Sequence, residues 1–340
     1  MNLLLLGILT IAAAGILNGT FAFPMKLVKH WNWENIWFLF AVFGLVLLPA
    51  AVAFNTIDGL LQIYRSVPPS SLLVALFLGL GWGLGSLLFG LGISALGFSL
   101  GYMIVMGTTA IFGTIIPAML SGYGLLVSAR GARLLGSLVM ISLGLCLCGV
   151  AGRVREQLTK AAVERYRILT QTHFSKGVLI CLASGILSAC FNIGFALTTG
   201  ISAAAERSGA TPGNSSFSVW VLIMSAGAVP SMSYCAVLLW KKKSYRLFRV
   251  GGRNWFYAAV MALMWVLTLQ LYGDGTNSLG LYGATVGWPV MMASAIVGAN
   301  VLGIAGGEWS EMPKRVRTWL YTGIASLMIA VVLAGLAGSA

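Results

Sequence analysis

Residues 15–37, GILNGTFAFPMKLVKHWNWENIW, mark the place where the chain passes from one solvent to another. An apolar run that contains Asn18 meets Lys26 and Lys29 and ends in three tryptophans around Glu34. A soluble core gives no reason for this order, whereas Lys and Trp are both favoured where a bilayer meets water. The segment therefore predicts a membrane helix whose tryptophans anchor it at the interface. It leaves the asparagine unexplained.

The composition extends this interpretation to the whole chain. Of its 340 residues, 59% are hydrophobic and 9% are charged, and the mean hydropathy is +0.92. A soluble domain carries roughly 25% charged residues, and a spanning helix needs about 20 apolar residues in succession. The N-terminal run lacks a basic start and a cleavage site, so we interpret it as a membrane helix and not as a removable signal. Ten spans are predicted, at about 3–23, 36–54, 71–93, 98–120, 133–151, 177–200, 217–240, 255–272, 282–304 and 319–338.

The basic residues are concentrated in alternate loops. Odd-numbered loops hold 17 of the 21 Lys and Arg residues, and even-numbered loops hold 4. Cytoplasmic loops of membrane proteins carry such an excess. We therefore expect the odd loops in the cytoplasm and both termini on the outer, periplasmic side of the cell's inner membrane. The same bias accounts for the net charge of +13, so nucleic acid is not an expected partner.

A long basic loop divides the predicted spans into two sets of five. We expect a first five-helix repeat over 1–152, a basic cytoplasmic linker over 153–176 and a second repeat over 177–340. Because five is odd, the second repeat enters the membrane from the opposite side, as in many secondary transporters. The predicted fold is an all-α membrane protein with ten transmembrane helices in two inverted repeats.

Short motifs recur in the same order in the two halves and support this repeat. They are GIL-x3-F at Gly15–Phe21 and Gly185–Phe191, W-x6-[FY]-G at Trp82–Gly90 and Trp265–Gly273, and AI[FV]G at 110–113 and 295–298. Two similar bundles that face opposite ways can exchange open and closed packings. A site between them then meets each side of the membrane in turn.

Several longer segments resemble one known family. They are FPMKLVKHWNWENIW at 23–37, WGLGSLLFGLGISALGFSLGYMIVMGTTAIFGTIIP at 82–117, KGVLICLASGILSACF at 176–191, AAAERSGATP at 203–212 and GGEWSEMPKRVRTWLYTGI at 306–324. In this order they are similar to the L-rhamnose–proton symporter family of the drug/metabolite transporter superfamily. The resemblance implies ten helices, both termini outside, and import of a small sugar such as L-rhamnose together with protons.

A neutral sugar is bound by flat apolar faces and by amide or hydroxyl groups. Trp82 and Trp265 occupy the same position in the two repeats, and polar residues in lipid should face the bundle interior. Each polar residue has the alternative role of a hydrogen bond between helices. The predicted substrate-binding residues are Asn18, Trp82, Ser86, Tyr102, Asn192, Trp265, Gln270 and Trp288, with Asn300 as a further polar residue.

The residues that couple transport to protons are harder to predict from the sequence. No Asp, Glu, His, Lys or Arg lies securely within a predicted span, and the ninth span has no carboxylate before its tryptophan. The coupling candidates are therefore the carboxylates at span ends: Glu34, Asp274 and Glu308. The alternative is that they pair with nearby Lys or Arg at the interface. A helix break at Pro289 would instead offer backbone oxygens to another ion.

Other classes of protein fit the sequence less well. An enzyme would need a nucleophile, a base or a metal set, and the two histidines, His30 and His173, both lie in loops. The 5 cysteines form no CxxC pair, so no metal or cofactor is expected. An exporter or facilitator of another metabolite, such as an amino acid or a different sugar, stays open as the alternative. A regulator that inherited the fold is not excluded either.

Overall fold

The computed structural model describes residues 3–122, 125, 127–158 and 174–338, and their regular structure is helical. Ten helical segments in these ranges are long and apolar enough to cross a membrane. The ten helices are α1 Leu3–Thr20, α2 Trp33–Thr56, α3 Pro69–Leu96, α4 Phe98–Leu120, α5 Ala129–Leu158, α6 Phe174–Leu197, α7 Phe217–Lys241, α8 Gly252–Ser278, α9 Gly283–Ala305 and α10 Lys314–Gly338. Shorter helices are Phe23–Leu27, Leu60–Ser66, Thr199–Arg207, Pro212–Ser215, Ser244–Arg249 and Gly280–Tyr282.

Each predicted span coincides with one of these helices, but several helices are longer than predicted. Helix α8 continues six residues beyond the predicted 255–272, so Asp274 lies within the helix and does not close it. Hydropathy marks only the apolar section, whereas backbone hydrogen bonds extend a helix into the polar interface. In the predicted linker, 153–158 continues α5 and 174–176 begins α6, while 159–173 lies outside the described residues.

The junction between α3 and α4 is tighter than predicted. The sequence suggests a hairpin over Ser94–Gly97, but α3 runs to Leu96 and Gly97 alone separates the two helices. Its φ of +86° is open to glycine and disfavoured for other residues. The carboxylate of Glu156 on α5 accepts hydrogen bonds from the Ser99 N–H at 3.0 Å and the Ser99 hydroxyl at 2.9 Å. This negative group stabilises the start of α4, where free N–H groups point outward.

The helices of the two halves have corresponding neighbours. Helix α1 packs between α8 and α9, and α6 packs between α3 and α4; α2 lies against α7, and α5 against α10. The glycines that open the two GIL motifs lie at close approaches between helices. Gly15 lies against Met291 and Ser294 of α9, and Gly185 lies against Thr108 of α4, with no room for a side chain in either place.

The lysine- and arginine-rich loops meet at one end of the bundle, which we call the basic end. Trp31 lies there, but it does not anchor the chain at the lipid interface as predicted. Its ring is buried, and its indole N–H donates to the carbonyls of Leu247 at 2.8 Å and Val250 at 2.7 Å. Trp31 therefore holds the loop between α7 and α8 against the loop that follows α1. Sequence alone could not separate these roles, because both favour an amphipathic indole.

Replacing Trp31 with Phe should destabilise the basic end, because two carbonyls lose their shared donor while a smaller aromatic ring takes the place of the indole. We expect a loss of about 1–2 kcal/mol in the free energy of unfolding, measured by thermal unfolding in detergent. Trp33→Phe is the matched control, since Trp33 is exposed and its indole bonds to no other described residue. Equal effects in the two variants would contradict this role of Trp31.

Candidate functional site

A cavity of about 190 Å³ lies between the two halves of the bundle. Eight helices line it, α1 to α4 from one half and α6 to α9 from the other, while α5 and α10 stay outside. Most of its surface is aromatic or methionine side chain, with a few hydroxyls and one amide. None of the described lining residues is Asp, Glu, His, Lys or Arg. The cavity therefore suits an uncharged molecule that has both apolar and polar faces.

Two predicted tryptophans meet at the centre of this lining. The rings of Trp82 and Trp265 stack with their centroids 6.0 Å apart and their planes 20° apart. Phe191 flanks Trp82 at 5.5 Å, and Phe21 flanks Trp265 at 5.0 Å. These four aromatic residues come from the W-x6-[FY]-G and GIL-x3-F motifs, so the repeated motifs converge on one place.

Trp288 also lines the cavity, and its orientation is set by a hydrogen bond. Its indole N–H donates to the Thr109 carbonyl at 3.1 Å, and its ring lies against Gly113, where a side chain would collide with it. Helix α9 stays continuous through Pro289. The helix break that would offer backbone oxygens at this depth is therefore not observed in this structure.

Polar groups without a partner also face this cavity. Asn18, Ser188 and Ser231 line it and make no side-chain hydrogen bond with another described residue. Ser86 lines it too, but its hydroxyl donates to the Trp82 carbonyl at 3.2 Å. Ser188 and Ser231 are not among the substrate-binding residues predicted from the sequence. The motif GIL-x3-F places Ser188 at the position of Asn18, so the repeat could have identified it; Ser231 had no such signal.

Asn192 does not line the cavity but joins four helices beyond it, at the end opposite the basic end. Its amide donates to the carbonyls of Gly113 on α4 at 2.8 Å and Ala284 on α9 at 3.1 Å. Its side-chain oxygen accepts a hydrogen bond from the Tyr272 hydroxyl of α8 at 2.7 Å. Asn192 is fully buried and fully bonded. In this conformation Asn192 therefore has the alternative role that we considered for each polar residue, a hydrogen bond between helices.

The other predicted polar residues lie away from the cavity. Tyr102 stacks on Phe98, with ring centroids 5.5 Å apart. Gln270 donates to both oxygens of Asp274 at 3.2 Å. Asn300 donates to the Ile296 carbonyl of its own helix at 2.8 Å. The amides of Gln270 and Asn300 are satisfied within their own helices, which sequence spacing could not reveal.

The three coupling candidates do not line the cavity either. Glu34 is buried in the first turn of α2, and its carboxylate accepts from Ser244 Oγ at 2.9 Å and Lys242 Nζ at 3.2 Å. Asp274 has the Gln270 amide as its partner and lies against Gly213. The pairing with a basic residue that we considered as the alternative is present for Glu34, while Asp274 has no salt bridge to another described residue.

Glu308 links three segments at the basic end. Its carboxylate accepts hydrogen bonds from Lys26 Nζ at 2.7 Å and Arg155 Nη1 at 2.5 Å. Burial raises the pKa of this carboxyl, but the hydrogen bonds and charges of the two cations outweigh burial, so its pKa is lowered overall. Glu308 therefore stays ionised at neutral pH and ties the segment after α1 to α5 and to the loop before α10.

Comparisons with known proteins agree with the resemblance noted in the sequence. A family model described as L-rhamnose-proton symport protein matches residues 1–340. The chain is 28% identical over 323 residues to an L-rhamnose-proton symporter of Klebsiella pneumoniae subsp. pneumoniae, covering 92% of each chain. It is 27% identical over 345 residues to one of Cronobacter sakazakii, covering 98% of each. Against one of Escherichia coli it is 27% identical over 323 residues, covering 92% of each.

Replacing Asn192 with Ala should destabilise the bundle strongly, because the Tyr272 hydroxyl and two carbonyls lose their partner in a buried place. We expect a loss of about 3 kcal/mol in the free energy of unfolding, measured by thermal unfolding in detergent. Asn300→Ala removes the same side chain from a bond within one helix, and it should cost much less. Comparable losses in the two variants would show that Asn192 does not join the helices.

Proposed function

The chain belongs to the L-rhamnose–proton symporter family, and we propose that it imports a small sugar such as L-rhamnose together with protons. The observation that carries this proposal is the uncharged, aromatic cavity between the two halves. Secondary transporters place the substrate site at such an interface, near the middle of the membrane. A transporter of this kind binds and moves its substrate without changing it, so no catalytic residue is proposed.

The lining has the two surfaces that a sugar requires. The faces of Trp82, Trp265 and Trp288 offer flat apolar area for the C–H surfaces of a pyranose ring. The amide of Asn18 and the hydroxyl of Ser86 offer hydrogen bonds for ring hydroxyls. A charged substrate would lack a counter-ion among the described lining residues, and burying an unpaired charge is costly. These five residues are the proposed substrate contacts that the cavity supports.

We further propose the inverted repeat of the drug/metabolite transporter superfamily, with 1–152 and 177–340 as its units. Corresponding positions of the two halves line the same cavity, which supports a pseudo-twofold axis through it. The lining pairs, aligned by the repeated motifs, are Asn18 and Ser188, Phe21 and Phe191, Trp82 and Trp265, Phe89 and Tyr272, and Met106 and Met291. The matching helix neighbours support the same symmetry.

Alternating access then requires the end opposite the basic end to open. Asn192 of α6 bonds there to Gly113 of α4, so one hydrogen bond crosses between the halves. Phe195 and Trp220 stack beside it, with ring centroids 4.3 Å apart, and both are buried. We propose that this cluster is the outer closure of the transporter. Separation of α4 from α6 would break the Asn192 bond and admit the sugar from outside.

For the proton, Glu34 is the strongest of the three candidates. Its carboxylate is buried within a membrane helix, and Trp37, one helical turn further along α2, lines the cavity. A proton on Glu34 would compete with Lys242 for the same oxygen. Protonation could therefore be tied to movement of α2 relative to α7. Asp274 and Glu308 are kept as the second and third candidates.

The proposal predicts concentrative uptake in proteoliposomes. With an inward proton gradient, radiolabelled L-rhamnose should accumulate above the external concentration, and a protonophore should abolish the accumulation. Trp82→Ala should lower the apparent affinity about tenfold through the lost ring contact. Trp240→Ala should leave it unchanged, since Trp240 lies exposed at the end of α7. Equal affinity in the two variants would show that the sugar does not bind against Trp82 in this cavity.

Uptake into the same liposomes distinguishes between the three coupling candidates, Glu34, Asp274 and Glu308. Glu34→Gln should abolish accumulation while sparing the exchange of internal for external sugar, because the neutral side chain no longer carries a proton. Asp274→Asn and Glu308→Gln should keep accumulation. If the gradient has no effect on any variant or on the parent, the chain is a facilitator, which is the alternative that a cavity without a carboxylate favours.

The proposed orientation places the basic end in the cytoplasm. In a variant that lacks the native cysteines, Arg249→Cys should react with an impermeant thiol reagent in inverted vesicles and stay unlabelled in intact cells. Asp58→Cys, between α2 and α3, should show the opposite pattern. Both positions are exposed. Labelling of Arg249→Cys in intact cells would reverse the orientation of the whole bundle.

A further inference from the structure

We infer that Asn18, Ser188 and Ser231 are the groups that bind the hydroxyls of the sugar and so determine which sugar is accepted. This inference rests on the proposed function and assigns roles within its cavity. Two of the three residues, Ser188 and Ser231, were not recognised from the sequence. They identify the substrate class as a monosaccharide with several free ring hydroxyls and one apolar edge.

The inference starts from the hydrogen bonds of the lining. Five polar side chains there already use their donor hydrogen within the protein, while the buried indole N–H of Trp265 has no partner. Ser86 donates to the Trp82 carbonyl, Thr109 to Gly185, Thr268 to Met264, Tyr272 to Asn192 and Trp288 to Thr109. Asn18, Ser188 and Ser231 line the same cavity and donate to no other described residue. Their donors remain available to a ligand.

Ser231 makes the strongest individual case. Its side chain is 3% exposed, on the apolar helix α7, and its hydroxyl has no partner among the described residues. Ser231 lines the cavity, so a ligand hydroxyl or a bound water there would be its hydrogen-bond partner. The Ser231 hydroxyl is therefore available to a ligand in the cavity.

Asn18 and Ser188 add an asymmetry across the cavity. The repeated motif places them at the same position of α1 and α6, on opposite walls if the two halves are related by a twofold axis. The amide of Asn18 has two donor hydrogens and one acceptor oxygen, whereas Ser188 has a single hydroxyl. A symmetrical cavity would treat the two edges of a sugar alike. This difference gives the ring a preferred orientation.

The rest of the lining would accept an apolar edge. Val105, Met106, Leu269, Met291 and Met292 contribute hydrocarbon and thioether surface. An apolar pocket rejects an added hydroxyl only about 100-fold, whereas a site that binds a hydroxyl rejects its loss far more strongly. The cavity should therefore distinguish a missing ring hydroxyl more sharply than a hydroxyl added to the methyl group of a 6-deoxy sugar.

The test compares Ser188→Ala, Ser231→Ala and Asn18→Ala with Ser142→Ala as the matched control, because Ser142 lies on α5, outside the cavity, and its hydroxyl donates to the Leu138 carbonyl of its own helix at 2.9 Å. Affinity for L-rhamnose and for each of its monodeoxy derivatives is measured by equilibrium binding to the purified full chain. The first three variants should each weaken L-rhamnose binding about 3- to 10-fold, and Ser142→Ala should change it less than about twofold. For each of the three, one monodeoxy sugar should bind the variant and the parent equally, since the hydroxyl and its partner are then both absent.

The outcomes separate this inference from the function on which it rests. If the parent binds L-rhamnose but the three variants match Ser142→Ala, the inference is wrong and the proposed function stands. If the variants weaken every monodeoxy sugar by the same factor, their effect is structural, which also contradicts the inference. If the parent binds no sugar at all, both the function and the inference are wrong. Thermal unfolding of each variant shows that the measured protein is folded.

Discussion

Lipid offers no hydrogen bonds, and most features of this structure follow from that single constraint. A polar group inside the bundle must find its partner within the protein or within a cavity. Asn192 meets the constraint by bonding to α4, α8 and α9 together, so one side chain ties four helices. Polar groups that do not meet it, Asn18 and Ser231 among them, lie at the cavity. Satisfied groups such as Asn192 therefore hold helices together, while Asn18 and Ser231 remain available to a ligand in the cavity.

The corresponding positions of the two halves explain both the likeness and the asymmetry of the cavity. Trp82 and Trp265 keep the same residue type and stack on each other at the centre. Other pairs differ, as Phe89 differs from Tyr272, whose hydroxyl bonds to Asn192. Identical residues preserve the packing that the two halves share. The bond between Tyr272 and Asn192 has no counterpart at Phe89, so the two ends of the cavity are not equivalent.

Charge is separated from the cavity throughout the described structure. Glu34 pairs with Lys242 in the first turn of α2, and Glu308 pairs with Lys26 and Arg155 in a loop. A carboxylate at these places cannot touch a sugar in the cavity. Coupling of sugar to proton would then act through helix movement and not through direct contact. A carboxylate near the end of a helix suits this role, because it either pairs with a lysine or arginine or carries a proton. The paired and the protonated carboxylate would then favour different positions of the helix.

The sequence by itself predicted the membrane environment, the number of helices and the concentration of basic residues in alternate loops. These features depend only on composition and on the order of residues along the chain. The matching positions of Trp82 and Trp265 in the repeated motif also predicted that these two residues belong to one site. Only the tertiary structure decided which polar groups are satisfied. Trp31 became a link between loops, Asn192 a link between helices, and Ser188 and Ser231 became cavity residues. A hydrogen bond joins atoms that are distant in sequence, so its presence depends on how the helices pack.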